Sequence, residues 1–282
     1  MLVDFRYHSL IFFFRHGHGE TELNETRLAS PEKRAALIFI SCWLLTGAIR
    51  IPADSQTMDE ILGGMIQAQG GKAAIENIKD MTVTGTIEVP RQDIQVTFTQ
   101  YKKEPDKRRI EMKVMGMVQV QGFDGKRAWE MDPQTQTAVE IPGEDAIDIK
   151  RGSLALRWML EPEKYGISLV YRGKERIDGN DCFVIEQIYS NGDKAVLYVN
   201  AETYLIFKIK TKMLDEMMVE VETETILSDY RSVNGYIMAH TMVSFLRGKE
   251  YMRLFYKKIK MNTGLKDHLF MMQNETIETS ID

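Results

Sequence analysis

Met81-Thr82-Val83-Thr84-Gly85-Thr86-Ile87-Glu88-Val89-Pro90 is the stretch on which the fold turns. Met81, Val83, Gly85, Ile87 and Val89 alternate with Thr82, Thr84, Thr86 and Glu88. That period of two belongs to a half-buried strand, because successive side chains point to opposite faces of a sheet. The habit repeats downstream. Ile94, Val96 and Phe98 alternate with Gln95, Thr97 and Thr99; Pro105-Asp106 turns the chain; Ile110, Met112, Val114, Val118 and Val120 continue the pattern. Asp124-Gly125 lies between two apolar runs, a hairpin signal. Trp129 and Met131 follow, Asp132-Pro133 turns again, and 135–141 is a short strand. Further strands are predicted over 167–172, 181–190, 195–199, 205–212, 217–227, 236–246 and 250–259, with Asp178-Gly179 and Asn191-Gly192 as hairpin turns. Turns every 10–15 residues or so mark an antiparallel meander of about ten or eleven strands. The tail after Asn262 reads as irregular.

Two stretches leave this rhythm. Thr57-Met58-Asp59-Glu60 is a capping box, and Met58, Ile61, Leu62, Met65 and Ile66 then recur at helical spacing to about Gln69, where Gly70-Gly71 stops the helix. Residues 72–78 allow a second short helix. Between Gly143 and Tyr165 alternation is lost, and Leu154, Ala155, Trp158, Met159 and Leu160 form an apolar helical face that ends at Pro162, so a helix is predicted over 145–160. No Pro/Gly/Ser-rich linker divides the strands and no Rossmann or phosphate-loop glycine pattern is present, so one domain is expected over 49–282. The predicted class is mainly β with a few helices (α+β): a strongly curved antiparallel sheet, or half-open β-barrel, with a helical lid.

The first 48 residues are expected to stand apart. Lys33-Arg34 precedes the charge-free run from Ala35 to Ala48, which ends in the small residues Thr46-Gly47-Ala48 and reads as a secretory signal peptide over 33–48. Arg50 and Pro52 keep the run shorter than the ~20 apolar residues of a membrane span, which favours cleavage over an anchor. Phe39-Ile40-Ser41-Cys42 loosely resembles a lipobox, but Trp43-Leu44-Leu45 continues the apolar run where a lipoprotein turns polar. Met1 is the sole methionine before Met58, so residues 1–32 are expected to be a non-structural leader and translation to start near Leu28 at a non-standard codon. Within that leader the strand ending at Phe14 and the loop Arg15-His16-Gly17 resemble the histidine phosphatases; His18-Gly19 interrupts the match, and His240 and His268, the only histidines downstream, lie in β-patterned or tail sequence. After cleavage Cys182 would be the single cysteine, which excludes an internal disulfide.

The order of elements resembles the lipoprotein-carrier superfamily, the LolA/LolB-like proteins called outer-membrane lipoprotein-sorting proteins. The resemblance rests on Gly70-Gly71-Lys72-Ala73-Ala74-Ile75-Glu76-Asn77-Ile78, on Tyr101 with Pro105-Asp106-Lys107-Arg108-Arg109, on the run from Phe123 to Trp129, on Gly179 with the Phe183 strand, and on the run from Asp229 to Gly235. It implies an incomplete barrel around an apolar cavity, closed by helices, that shields a lipoprotein's acyl chains; this chain would be a divergent paralogue. It also implies that Arg108 or Arg109 ties the lid to the barrel, although either could be a plain solvated arginine.

A carried lipid needs apolar shelter, since each methylene exposed to water costs about 0.8 kcal/mol. The candidate lining is Val83, Ile87, Val96, Phe98, Ile110, Val114, Val118 and Trp129, and the candidate lid is Ile61, Leu62, Met65, Leu154, Trp158 and Met159; each could instead simply fill a core. Three functions stay open: a periplasmic carrier or binder of lipoprotein acyl chains or another apolar envelope ligand, a non-catalytic envelope assembly module with a filled core, and, behind these, a histidine-phosphatase-like enzyme built on the Arg15-His16-Gly17 loop. The expectation is a monomer, exported to the periplasm, serving lipid and an inner- or outer-membrane partner protein. Lys+Arg 36 against Asp+Glu 41, with no basic run, argues against nucleic acid. No catalytic triad, metal cluster or cofactor site is read in 49–282, and Glu220, Glu222 and Glu224 at period two look like a solvated strand face.

Overall fold

The computed structural model describes residues 56–153, 156–214 and 219–272. The stretches read above as a leader and a signal peptide, with Cys42 and the Arg15-His16-Gly17 loop, and Leu154 lie outside the described residues. The strands are β1 (Asp80–Val89), β2 (Ile94–Lys103), β3 (Lys107–Val114), β4 (Met117–Phe123), β5 (Ala128–Met131), β6 (Ala138–Glu140), β7 (Ile167–Ile177), β8 (Asn180–Tyr189), β9 (Lys194–Asn200), β10 (Ile206–Leu214), β11 (Glu220–Val233), β12 (Tyr236–Leu246) and β13 (Lys249–Met261). The helices are α1 (Met58–Ala68), α2 (Gly71–Glu76) and α3 (Gly143–Ser153), with 3-10 turns at Leu156–Met159, Pro162–Tyr165 and Asp267–Phe270.

All thirteen strands form one antiparallel sheet in the order β6-β5-β4-β3-β2-β1-β13-β12-β11-β10-β9-β8-β7, strongly curved and unclosed, since its two ends, β6 and β7, do not pair. The sheet is two meanders, β1 to β6 and β7 to β13, joined by the β1–β13 ladder. Four hairpins turn on two residues that both have positive φ: Met115-Gly116, Asp178-Gly179, Asn234-Gly235 and Arg247-Gly248. That geometry matches the right-handed twist of the flanking strands and favours Asn, Asp or Gly first. Met115-Gly116 carries no such signal. It divides what reads as one alternating run over 110–120 into β3 and β4, and Val114 pairs with Met117.

Direct cross-strand partners share a face. Val83, Ile87 and Val89 of β1 therefore share one face with Ile94, Val96 and Phe98 of β2, Ile110, Met112 and Val114 of β3, and Leu254 and Met252 of β13, all of them buried. This is the inner face. Gly85 sits at a β-bulge, where a Cβ would stand 2.1 Å from the Phe255 carbonyl oxygen and 2.7 Å from the Phe98 ring. The outer face carries charge: Lys208, Lys210 and Lys212 of β10 run beside Glu224, Glu222 and Glu220 of β11, with Lys212 to Glu220 at 2.6 Å and Lys210 to Glu224 at 3.1 Å.

The seam between the meanders is clasped at one end. The Asp80 carboxylate accepts the N–H groups of Thr263 (2.7 Å), Gly264 (2.8 Å) and Leu265 (3.2 Å) and the Thr263 hydroxyl (3.1 Å). Asn262 accepts from the Lys79 N–H (2.8 Å) and donates to the Asn77 carbonyl (2.9 Å). From there the irregular tail crosses the outer face as a strap. Asp267 binds Lys103 (2.6 Å) and Lys107 (2.8 Å), which hold its carboxyl down at about 2. Phe270 is buried, and its carbonyl accepts the Trp129 indole N–H at 2.9 Å.

Burial alone would raise the Asp80 carboxyl, but the donated hydrogen bonds together hold it below the ordinary carboxylate range. A carboxyl depressed in the folded state stabilises above its unfolded pKa, and that contribution is lost as pH falls through the folded value. Asp80→Ala should therefore cost about 2–4 kcal/mol at neutral pH, the scale of a lost charge-assisted cluster, and the gap to wild type should shrink below about pH 4. Urea midpoints at pH 7 and pH 3 measure both.

Candidate functional site

The inner face is covered by helices drawn from two parts of the chain. Thr57 caps α1, its hydroxyl accepting the Glu60 N–H at 3.2 Å while Glu60 accepts the Thr57 N–H at 2.8 Å. Ile61 and Met65 are buried beneath this helix and Leu62 is half-buried. Gly64 presses on the Tyr204 ring, 2.2 Å from where a Cβ would be, and Tyr204 stacks at 5.4 Å on Phe183 of the inner face. The Tyr236 hydroxyl donates to Gln69 at 2.8 Å. Gly70, at φ 106°, links α1 to α2, and a Cβ there would meet the Gly235 carbonyl at 2.0 Å. α1 and α2 thus lie over the β7 to β12 side.

The second cover lies over β3, β4 and β5. Ile149 of α3 packs with Phe123 and Ala128, supported by Ile141 and Ala146. The α-helix spans Gly143–Ser153, earlier than the predicted 145–160, and Trp158 and Met159 are buried in the 3-10 turn that follows. The two covers meet at Arg157. Its guanidinium donates to the carbonyls of Glu76, at the end of α2, and Ile78, and its Nε lies 3.7 Å from Glu104. Arg157 carries no motif; its position inside the non-alternating stretch was the one signal available.

Of the residues predicted to line a cavity, Val83, Ile87, Val96, Phe98, Ile110 and Val114 lie together on the inner face. Val118 and Trp129 do not. The Met115-Gly116 turn resets alternation, so Met117, Gln119, Gln121 and Phe123 face inward while Val118 and Val120 face outward. Val118 is 52% exposed. Trp129 pairs with Gly122, and its indole lies on that glycine, 2.4 Å from where a Cβ would be. It is buried against Val120, Ala138 and the strap. The two arginines separate in the same way. Arg108 is buried on the inner side against α3, its guanidinium 2.8 Å from where a Gly152 Cβ would be. Arg109 lies on the outer side over Trp129 (5.6 Å) and bonded to Glu111 (2.9 Å). Glu220, Glu222 and Glu224 line the outer ion ladder. Among the described residues no group of three or more His, Cys, Asp and Glu could hold a metal ion.

The inner face is not wholly apolar. Gln100, Lys102, Arg108, Gln119 and Gln121 are buried on it. Burial, reinforced by Arg108 and opposed by Glu104, pushes Lys102 down to about 7.

No family model and no curated protein matches this chain. Solved structures do. A domain assigned to the outer membrane lipoprotein-sorting proteins, from Vibrio parahaemolyticus, is 17% identical and covers 74% of this chain and 95% of its own, with a TM-score of 0.51. A LolA superfamily protein from Nitrosomonas europaea is 14% identical, covering 73% and 96%, at 0.51. A DUF1329 family protein from Desulfovibrio piger is 14% identical, covering 76% and 98%, at 0.54. The chain has the LolA-like fold.

Two outcomes are expected. A lysine whose folded pKa is depressed binds fewer protons than in the unfolded chain between pH 7 and its unfolded value, so stability rises with pH there. Wild type should gain on Lys102→Met as pH goes from 7 to 9, by up to about 1.4 kcal/mol per unit, in paired urea titrations. Arg157→Ala should speed amide exchange in α3 and the Leu156–Met159 turn by about tenfold or more, the effect of losing one or two net hydrogen bonds, while β8 to β10 exchange as before.

Proposed function

We propose that this protein is a periplasmic carrier or binding protein for acyl chains, those of lipoproteins or of another apolar envelope ligand. The observation that carries the proposal is the buried apolar patch on the inner face, Ile87 and Val89 of β1 with Val96 and Phe98 of β2, Met112 and Val114 of β3 and Leu254 of β13, in a sheet whose flanking strands are covered by helices held largely by side chains. An acyl chain of sixteen carbons forfeits roughly 12 kcal/mol when its methylenes are in water, at about 0.8 kcal/mol each, so a carrier must enclose it, and the enclosure must open. A sheet with unpaired ends and a cover fastened at Arg157 meets both demands. The LolA-like fold supports the reading, as does the sequence at 33–48, which has the pattern of a signal peptide. We also infer that Val83, Ile87, Val96, Phe98, Ile110 and Val114 line the bound chain, that α1 and the 143–159 segment form the lid, and that the mature chain is one domain acting as a monomer.

Protein purified without detergent should bind a fluorescent fatty acid saturably at one or two sites per chain, and solvent extraction should release lipid visible by mass spectrometry. Arg157→Ala should release the probe several-fold faster, because the cover opens more often. Neither saturable binding nor extracted lipid would leave the assembly-module alternative in its place.

A further inference from the structure

The helix α3 touches both halves of the open sheet. Ile149 packs with Phe123 of β4 and Ala128 of β5. Two residues on, Arg151 reaches the other meander: its guanidinium lies over the Tyr189 ring, 4.5 Å from the centroid, and donates to the Asp193 carboxylate in the β8–β9 turn. Tyr189 follows Phe183, Ile185 and Gln187 at period two, which puts it on the inner face. The turn that receives the arginine is shaped by its own bonds. The Tyr189 N–H donates to the Asp193 carbonyl at 2.9 Å and the Gly192 N–H to the Tyr189 carbonyl at 2.8 Å; the Asn191 amide donates to the Asp193 carboxylate at 2.9 Å and accepts the Asp193 N–H at 3.2 Å. A guanidinium held by a fixed carboxylate and a ring face gains from both.

A second carboxylate holds the same guanidinium. Asp148, three residues back on α3, lies 3.6 Å from its other terminal nitrogen, and both side chains are 12% exposed. The two pairs differ in what motion does to them. Asp148 and Arg151 are neighbours on one helix and move together, whereas the bond to Asp193 lasts only while α3 lies across to the β8–β9 turn. Breaking a buried pair costs most where it leaves a charge unmatched, and Asp148 travels with the arginine. Asp193 is 46% exposed, so the group left behind returns to water. We propose that Arg151 is a releasable latch: Asp193 and Tyr189 hold it, and α3 with it, across the gap between the two halves of the sheet, while Asp148 matches its charge once α3 lifts. The inference rests on the carrier function proposed above and assigns the control of its cover; the latch itself is measured without cargo.

The test follows the distance between spin labels on Ile147→Cys of α3 and Ser168→Cys of β7, both exposed, in the full chain with Cys42→Ser and Cys182→Ala. Raising salt from about 0.1 to about 1 M shortens the Debye length from about 10 to about 3 Å, and should raise the open, longer-distance fraction several-fold. Asp193→Asn should open α3 already at low salt and lose most of the salt response. Asp148→Asn should act in the opposite sense, so that more salt is needed for the same open fraction. Tyr189→Phe, which keeps the ring, should match wild type, and Tyr189→Leu should open several-fold more. An ion pair that merely stabilises the helix predicts that both aspartate variants open α3, and that result overturns the latch. A distance that answers to neither salt nor Asp193→Asn overturns it as well. Release of a fluorescent fatty acid separates the two readings: no saturable binding overturns the carrier and leaves a latch seen by distance, whereas release at the wild-type rate from an opened Asp193→Asn overturns the latch as the control of cargo.

Discussion

The β1–β13 ladder is the constraint on which the rest depends. Every other ladder in the sheet joins consecutive strands, so each meander could in principle assemble by local hairpins. Only the pairing of Met81 with Met261 through Glu88 with Arg253 brings the two ends of the folded chain together. Its closure entropy is the largest in the sheet, since the loop it closes contains nearly the whole domain. The contacts at its end follow from that. Asp80, Asn262 and the backbone of 263–265 fasten the seam where fraying would begin, and the tail then extends the grip across the outer face by Asp267 and Phe270.

This arrangement also explains how Trp129 is buried without touching the inner face. A sheet with one apolar side leaves its other side to solvent, and β10 and β11 do so with a lysine–glutamate ladder. On β4 to β6 the outer side instead carries Val120, Trp129 and Ala138, and the strap is what removes them from water. Gly122 gives the indole its place, and the Phe270 carbonyl satisfies its one donor.

Most of the architecture was legible because period-two alternation is a direct imprint of one-sided burial, and β1, β2 and β7 to β13 show it over long runs. What escaped was phase. The alternation over 110–120 is continuous in sequence, yet Met115 adopts a left-handed conformation that sequence assigns to Asn, Asp or Gly, and one unnoticed two-residue turn moved Val118 to the opposite face and, through Gly122, Trp129 with it. Boundaries in 143–165 shifted for a related reason: Ala146 and Ile149 face the sheet from a helix of low overall hydrophobicity, whereas the conspicuous Trp158 and Met159 belong to a tighter 3-10 turn. Arg157 and Lys102 were unreadable as site residues, since their importance comes from what folding brings beside them.

One of the two covers of the inner face, α3 with the turns after it, is also the segment that connects β6 to β7, the two edges left unpaired. In a closed barrel the girth is fixed in discrete steps by strand number and register, because hydrogen bonds complete the ring. Here side-chain packing from α3 and the turns after it takes the place of that last ladder, and packing has no register. The spacing of those two edges is therefore set by side-chain contacts and not by strand register, and on this side cover and closure are one piece of chain: in the carrier proposed above, whatever lifts α3 would also let the edges part, so guests of different thickness would meet a wall that yields by degrees.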